Sequence, residues 1–133
     1  MIHDGNRPLV SQDVISDCIA KTSKHGCAIA AIPATEVILV SEDNVSSDRH
    51  IDRSILRRTQ TPHGFNFGTL FKLYTDALEK KVASVAACDL MIEMGKTVFL
   101  SRGSEKNIKI TTVEDIDIFK ALLATTKDSY IKE

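Results

Sequence analysis

The period of apolar and polar positions changes several times along the chain, and each change predicts a different element. Residues 11–25 place their apolar side chains on one helical face, with Ser11 and Gly26 as caps at the two ends. Residues 27–33 are apolar throughout, which is typical of a strand covered on both faces, as in a parallel sheet. Residues 1–8 resemble the end of a buried strand entering a turn, so the pattern predicts a strand–helix–strand unit with a right-handed crossover.

The middle of the chain breaks this pattern. Residues 34–58 combine an extended apolar stretch, a polar turn and a charge-rich segment, which predicts a hairpin arm outside the main core. The apolar side chains of residues 37–40 need cover there, and a second subunit is a plausible source of it. Residues 61–65 (TPHGF) contain proline and glycine and predict a loop.

The second half returns to alternating elements. Residues 67–80 predict a helix with a buried stripe formed by Phe67, Leu70, Phe71, Tyr74 and Leu78. A helix over 84–94, ended by Gly95, and strands over 97–100 and 107–111 follow. A capping box from Thr112 to Asp115 opens a last helix, whose inward residues are Ile116, Phe119, Leu122 and Leu123. This alternation predicts an α/β fold in which residues 1–133 form part of a single domain, because a sheet that starts at residue 2 lacks the usual first strands.

The composition of the chain argues against several classes of protein. The net charge is −1, from 17 basic and 18 acidic residues, which argues against a nucleic-acid binder. No apolar run has the roughly 20 residues of a membrane span, and the first residues do not resemble a signal peptide, so a cytoplasmic protein is expected. Three cysteines without metal-site spacing are expected to be small buried side chains.

Polar residues in the predicted turns are the candidates for chemistry. Asp4 and Arg7 follow the first strand, where ligands of open α/β sheets bind, and Asp4 is of a type that ligates Mg²⁺ or accepts bonds from sugar hydroxyls. Gly5 permits close approach of the backbone to a ligand. The alternative is an ordinary turn with Arg7 as a solvated charge. Lys109 lies between two isoleucines, so its side chain points to the opposite face of the predicted strand. It is either a charged residue that prevents pairing at an exposed sheet edge or a residue that binds an anion.

Two further segments carry the same ambiguity. Arg53 lies in the charge-rich part of the arm, which is either a solvated face or a guanidinium presented to a phosphate. Thr61 supplies a hydroxyl in the Pro/Gly-framed loop, where threonine either forms the turn or binds a polar substrate.

Taken together, IHDGNRP, IDRSILRRTQTPHGF and GSEKNIKITTVEDI resemble, in this order and spacing, the C-terminal part of the 2-C-methyl-D-erythritol 4-phosphate cytidylyltransferase family. Ribitol-phosphate cytidylyltransferases belong to the same group. The resemblance implies a Rossmann-like nucleotidyltransferase that lacks its N-terminal strands here and transfers CMP from CTP to an alditol phosphate with Mg²⁺. The expected substrate is 2-C-methyl-D-erythritol 4-phosphate, for isoprenoid precursors, and the alternative is a ribitol or polyol phosphate for surface polysaccharide.

The resemblance also implies roles for single residues. Asp4 and Gly5 would contact the nucleotide, with Asp4 also a candidate metal ligand. Arg7 and Thr61 would bind the substrate. Lys109 would lie beside the α-phosphate, and Asp4 and Lys109 are the expected catalytic residues.

The arm is implied to cross to the second subunit of a homodimer and to offer Arg53 to the substrate phosphate there. Two departures from the family pattern stand out. The chain has no glycine-rich triphosphate loop, and Val85-Ala86 occupy the positions of a Thr-Asp pair. A non-catalytic subunit or fragment that binds CTP poorly is therefore the alternative to an active enzyme.

Overall fold

The computed structural model describes residues 1–84 and 86–128. In chain order its elements are α1 (Gln12–His25), β1 (Cys27–Pro33), β2 (Ile38–Val40), β3 (Arg49–Ile51), a 3₁₀ helix (Arg53–Ile55), β4 (Arg57–Phe65), α2 (Phe67–Lys80), α3 (Ala87–Glu93), β5 (Leu100–Arg102) and α4 (Val113–Asp128). Strands β4, β1 and β5 form one sheet in that order, while β2 and β3 form a separate hairpin. The predicted α/β class is confirmed.

The first helix and the central strand form where the sequence predicts them. Ser11 caps α1 by accepting a hydrogen bond from the backbone N–H of Val14, and Gly26 ends the helix with a φ of 82°. Strand β1 is buried over most of its length, as its continuous apolar run predicts. The sheet is mixed rather than parallel, because β1 pairs antiparallel with β4 and parallel with β5.

The buried strand predicted at the N-terminus is reduced to a single bridging residue. Ile2 makes a single antiparallel bridge to His63 through two hydrogen bonds of 2.8 Å, and its side chain is exposed. Since β4 runs antiparallel to both Ile2 and β1, the first residues run parallel to β1 with β4 between them. The expected strand–helix–strand unit is therefore split by an intervening strand.

The predicted loop at residues 61–65 is instead the second half of β4. Ile29 lies opposite His63, whereas Ala31 lies opposite Thr59, so residues 60–62 face a single residue of β1. This bulge explains why a proline fits in a sheet strand, since a bulged residue does not need to donate a ladder hydrogen bond. The Thr61–Pro62 peptide is cis.

Helix α2 has the predicted boundaries but not the predicted buried face. Phe67 and Leu78 are 81% and 79% exposed, and Phe71 and Tyr74 also face solvent, so the expected core stripe is wrong except for Leu70, which packs against the core. The helix buries a neighbouring face instead. Its core residues, Leu73 and Ala77, pack in a cluster with Cys27, Leu90 and Met91. Cys18, Cys27 and Cys88 are buried free thiols, as expected.

The hairpin β2–β3 stands outside the main sheet, as predicted for the arm, and exposes Val37, Leu39 and Val45. Its role in dimerisation stays a prediction. The strand predicted at residues 107–111 is not formed, because Ile110 exchanges two hydrogen bonds with Asn6 in the N-terminal turn rather than joining a ladder.

In the last two helices, the predicted end residues agree with the structure better than the predicted buried residues do. Helix α3 is shorter than expected and is followed by Gly95 with a φ of 71°, while Val85 lies outside the described residues. The capping box is confirmed, since Thr112 and Asp115 each accept the other's backbone N–H. Ile116 and Leu123 are exposed rather than inward, and Phe119 and Leu122 are half-buried. In the described part of the chain no helix has both the length and the hydropathy needed to cross a bilayer.

Candidate functional site

The N-terminal turn is fixed to the bulge of β4 by side chains. The backbone N–H of Asp4 donates to Thr61 Oγ1 at 2.9 Å, and Thr61 Oγ1 lies 2.9 Å from His3 Nδ1. His3 Nε2 lies 3.0 Å from the carbonyl oxygen of Arg7, which can only accept. In a neutral ring Nε2 therefore donates, Nδ1 accepts, and the Thr61 hydroxyl donates to it. Both hydrogen-bonding functions of this hydroxyl are used to hold the turn.

Arg7 belongs to the same turn and is almost buried, with 11% of its side chain exposed. Its Nε donates to Asp4 Oδ2 at 3.1 Å, and its Nη1 donates to the carbonyl oxygen of Asn107 at 2.7 Å. A guanidinium held at two atoms has one orientation, which is the property that phosphate recognition requires.

Asp4 joins two cations that come from opposite ends of the chain. Its Oδ2 accepts from Arg7 and lies 3.4 Å from Lys109 Nζ. Burial alone would raise the pKa of Asp4, but the hydrogen bonds and charges of Arg7 and Lys109 outweigh it and hold the pKa below its usual value. The carboxylate is therefore ionised at neutral pH and positions both cations.

The bulge is braced from the other side by the segment that carries Lys109. Asn107 is fully buried, and its Nδ2 donates to the carbonyl oxygen of Thr61 at 2.8 Å. Gln60 donates to the carbonyl oxygens of Ser104 and Asn107 and accepts from the backbone N–H of Ser104. A Cβ at Gly103 would lie 2.7 Å from Gln60 Oε1 and 2.8 Å from the carbonyl oxygen of Ala31, so this close approach requires glycine.

Two adjoining clefts open onto this network. The first, of about 240 Å³, is lined by Asp4, Arg7, Thr59, Gln60, Thr61, His63, Ala86, Cys88, Asp89 and Lys109. The second, of about 270 Å³, shares Arg7, Thr59, Gln60 and Lys109 with the first and adds Ile32, Arg58, Glu105 and Ile108. Burial disfavours the cationic ring of His63 and lowers its pKa, so this residue contributes a neutral imidazole at neutral pH. The two clefts form a polar groove that presents three cations.

Most of the residues predicted from the sequence meet here. Asp4, Arg7, Thr61 and Lys109 line the first cleft, and Gly5 lies in the same turn with open space beside it. Arg53 lies elsewhere, at the base of the hairpin, where its Nη1 donates to the carbonyl oxygen of Thr35 at 2.6 Å.

Sequence reasoning missed the supporting roles of Gln60 and Asn107. Both stand within the quoted motifs, but their function depends on a bulge that no periodicity reveals. The sequence pattern places Arg58 in the charged arm, whereas it lies in β4, opposite Ile32. No local sequence signal reveals this, because the Thr-Pro-His-Gly stretch that follows has the composition of a turn.

The chemistry of the first cleft fits Mg²⁺ in a limited way. Asp4 and Asp89 both line it, but among residues 1–84 and 86–128 no cluster of three or more His, Cys, Asp or Glu side chains is able to hold a metal ion. Mg²⁺ keeps several waters and is often held by one or two carboxylates together with substrate phosphates. The cleft therefore suits an ion carried largely by phosphate oxygens, not one held in a protein cage.

Comparison with known proteins places this geometry in a family. The family model for 2-C-methyl-D-erythritol 4-phosphate cytidylyltransferase (IspD) matches residues 1–125. A ribitol-5-phosphate cytidylyltransferase from Lacticaseibacillus paracasei is 37% identical over 126 residues, which are 92% of this chain and 54% of that protein. A 2-C-methyl-D-erythritol 4-phosphate cytidylyltransferase from Alkaliphilus oremlandii is 36% identical over 130 residues, 96% of this chain and 54% of that protein.

Comparison of the fold with solved structures agrees with this family assignment. The crystal structure of 2-C-methyl-D-erythritol 4-phosphate cytidylyltransferase from Thermus thermophilus superposes with a TM-score of 0.82 at 26% identity, covering 92% of this chain and 60% of that one. The chain spans about half the length of the curated relatives it matches.

Proposed function

The chain belongs to the 2-C-methyl-D-erythritol 4-phosphate cytidylyltransferase (IspD) family, and we propose that its groove takes part in the transfer of CMP from CTP to an alditol phosphate. The observation that carries the proposal is the meeting of Arg7 and Lys109 on one ionised carboxylate, Asp4, at the wall of an open cleft. Two fixed cations beside a cleft are what a transferring phosphoryl group requires.

In the proposed reaction an oxygen of the alditol phosphate attacks the α-phosphorus of CTP. A new P–O bond forms, the bond to the β-phosphate breaks, and pyrophosphate leaves with the bonding electron pair. Lys109 would neutralise charge that develops on the α-phosphate, and Arg7 would bind the substrate in the orientation set by Asp4 and Asn107. No protein nucleophile is needed, because positioning and charge neutralisation carry such transfers.

Thr61 and Mg²⁺ have narrower roles in this proposal. Thr61 acts as a positioning residue, because its hydroxyl is engaged by Asp4 and His3. Mg²⁺, when bound, would neutralise charge on the triphosphate oxygens, and Asp4 is the proposed protein ligand, with Gly5 beside the nucleotide.

The alditol phosphate has two candidates. The prediction from the sequence is 2-C-methyl-D-erythritol 4-phosphate, in isoprenoid precursor synthesis. Ribitol 5-phosphate is favoured by the relative from Lacticaseibacillus paracasei, which is 37% identical and carries that name. Parallel assays of cytidylyl transfer to both compounds decide between them, and the preferred one is expected to have the higher kcat/KM.

A matched pair of lysine substitutions tests the proposal. Calorimetric titration of the 133-residue chain with CTP and Mg²⁺ is expected to show saturable binding that Lys109→Ala weakens at least tenfold, the equivalent of one charge-assisted hydrogen bond of about 1.5–3 kcal/mol. Lys106→Ala is the control, because Lys106 is exposed and does not line either cleft. Equal effects of the two substitutions, or no binding of either CTP or alditol phosphate, would overturn the proposal.

The second candidate function is a non-catalytic subunit. The observation that favours it is the apolar Ala86 at the wall of the first cleft, where the family pattern has the carboxylate of a Thr-Asp pair. Under this hypothesis the chain binds CTP poorly and releases no pyrophosphate. A pyrophosphate-release assay on the same samples separates the two functions.

We also propose that the chain is a homodimer joined through the hairpin β2–β3. The exposed Val37 and Leu39 supply an apolar surface there, and Arg53 at its base would reach the substrate phosphate in the partner's groove. A mixture of Arg53→Ala and Lys109→Ala chains should then regain one intact site per mixed dimer, and with it the cytidylyl transfer that each variant alone has lost. Monodisperse monomer in light scattering, or no recovery when native mass spectrometry shows mixed dimers, would contradict this arrangement. The cytoplasmic location stays a prediction.

A further inference from the structure

The second cleft contains a cation that the proposed reaction does not use. Arg7 and Lys109 are shared with the first cleft, whereas Arg58 lines only the second and lies on the rigid strand β4, paired with Ile32 of β1. We infer that this cleft is a second phosphate site, in which Arg58 exchanges its bond to Glu105 for a bond to a phosphate group. The inference rests on the proposed function, because it adds a ligand group to the same groove.

Arg58 and Glu105 form a pair that a phosphate is able to displace. Nη2 of Arg58 lies 3.1 and 2.8 Å from the two carboxylate oxygens of Glu105, so this nitrogen already donates to an anionic group. Both side chains are largely exposed, at 44% and 64%, and exposed ion pairs contribute little net stability. The Arg7–Asp4 pair differs, because Arg7 is almost buried and also donates to a backbone carbonyl.

The charge balance of the groove favours the same exchange. The lining of the second cleft carries three positive charges, on Arg7, Arg58 and Lys109, and one negative charge, on Glu105. Asp4 pairs with Arg7 and Lys109 from the first cleft. When Glu105 moves away from Arg58, these three cations and Asp4 together carry +2, which matches a phosphate monoester dianion. The ligand class is therefore a phosphate group next to the reacting one, either the phosphate of the alditol or the terminal phosphates of the nucleotide.

The test uses two substitutions with opposite expected signs. Titrations of the 133-residue chain with ribitol 5-phosphate, 2-C-methyl-D-erythritol 4-phosphate, CTP and CMP are compared, with unphosphorylated ribitol as a blank. Arg58→Gln should weaken binding of a phosphorylated probe about tenfold through the lost charge-assisted bonds. Glu105→Gln should strengthen it roughly threefold, since the carboxylate no longer competes. The gain should vanish when Glu105→Gln is combined with Arg58→Gln.

Two control substitutions show how much a change in net charge alone alters the affinity. Arg57→Gln makes the same change on the same strand, but Arg57 donates to backbone carbonyls of residues 54 and 56 and does not line either cleft. Glu42→Gln removes a carboxylate paired with Arg49 in the hairpin. Neither control should change the affinity for any probe by more than about twofold, since exposed charges outside the groove are screened by salt.

The pattern across probes identifies the source of the phosphate. A loss confined to the alditol phosphates assigns the site to the alditol, and a loss for CTP but not for CMP assigns it to the terminal phosphates. Equal effects of Arg58→Gln and Arg57→Gln, or weakening by Glu105→Gln as well, would overturn the inference. If CTP binding still responds to Lys109→Ala in that case, the proposed function survives and only the second site fails. If no phosphorylated probe binds, both fail.

Discussion

The hydroxyl of Thr61 is predicted to stabilise the fold by holding the turn that carries Asp4. Thr61→Val keeps the shape and the β-branch of the side chain, both of which suit a strand, and removes only the hydroxyl. The lost contacts are the bonds to the backbone N–H of Asp4 and to His3 Nδ1, each 2.9 Å long. Net contributions of roughly 0.5–1.5 kcal/mol per hydrogen bond predict a loss of about 1–3 kcal/mol in the free energy of unfolding.

Urea denaturation, followed by circular dichroism, measures this loss. Thr59→Val is the matched control, because Thr59 lies two positions earlier on β4 and its side chain is exposed. This change should alter the free energy of unfolding by less than about 0.5 kcal/mol. If Thr61→Val also stays within that range, the hydroxyl does not hold the turn, and the positioning role of Thr61 is wrong. Weaker CTP binding by Thr61→Val alone would then have to come from direct contact with the ligand.

Two further predictions concern a helix cap and a close contact. The pKa of Asp115 is lowered from 3.8 to about 2 by the backbone N–H groups of residues 111 and 112, so its stabilising effect is present above pH 3.8 and is lost as pH falls toward 2. The excess stability of the native chain over Asp115→Asn, measured by urea denaturation at several pH values, should shrink across that window; a constant difference would contradict the cap. Gly103→Ala should cost about 1–3 kcal/mol because its Cβ would meet Gln60 and a backbone carbonyl, while Gly5→Ala, which points into open space, should be nearly neutral in the same assay.

Local chemistry along the sequence predicts helix ends better than it predicts burial. Ser11, Gly26 and the capping box at Thr112 act within a few residues, so the structure places them as expected. The aromatic stripe of α2 has the correct period, but period alone does not say which element covers a face. Phe67 and Phe71 are exposed because the core of this chain lies against the neighbouring face of the helix.

In the candidate site too, sequence patterns predict some of the residues and miss others. The family resemblance predicts Asp4 and Lys109 each as a functional residue, and the structure places Lys109 Nζ 3.4 Å from Asp4 Oδ2. The bulge in β4 was not predicted, because Thr-Pro-His-Gly has the composition of a turn and only the pairing partner shows that it is a strand. Gln60 and Asn107 depend on that bulge, so their roles were beyond the reach of sequence patterns.

The two arginines of the groove differ in how firmly their ion pairs hold them. The cation nearest the turn, Arg7, is almost buried and is held by a carboxylate and a backbone carbonyl, so moving it would leave buried groups without partners. The more exposed cation, Arg58, is paired with the exposed carboxylate of Glu105, and water replaces that carboxylate at little cost. In the proposed function, a phosphate ligand would therefore meet one guanidinium that is already oriented and one that is able to change partners. Binding at Arg7 would require no rearrangement, whereas binding at Arg58 would be limited by competition with Glu105. The strength of that competition would then set the affinity without disturbing the fold.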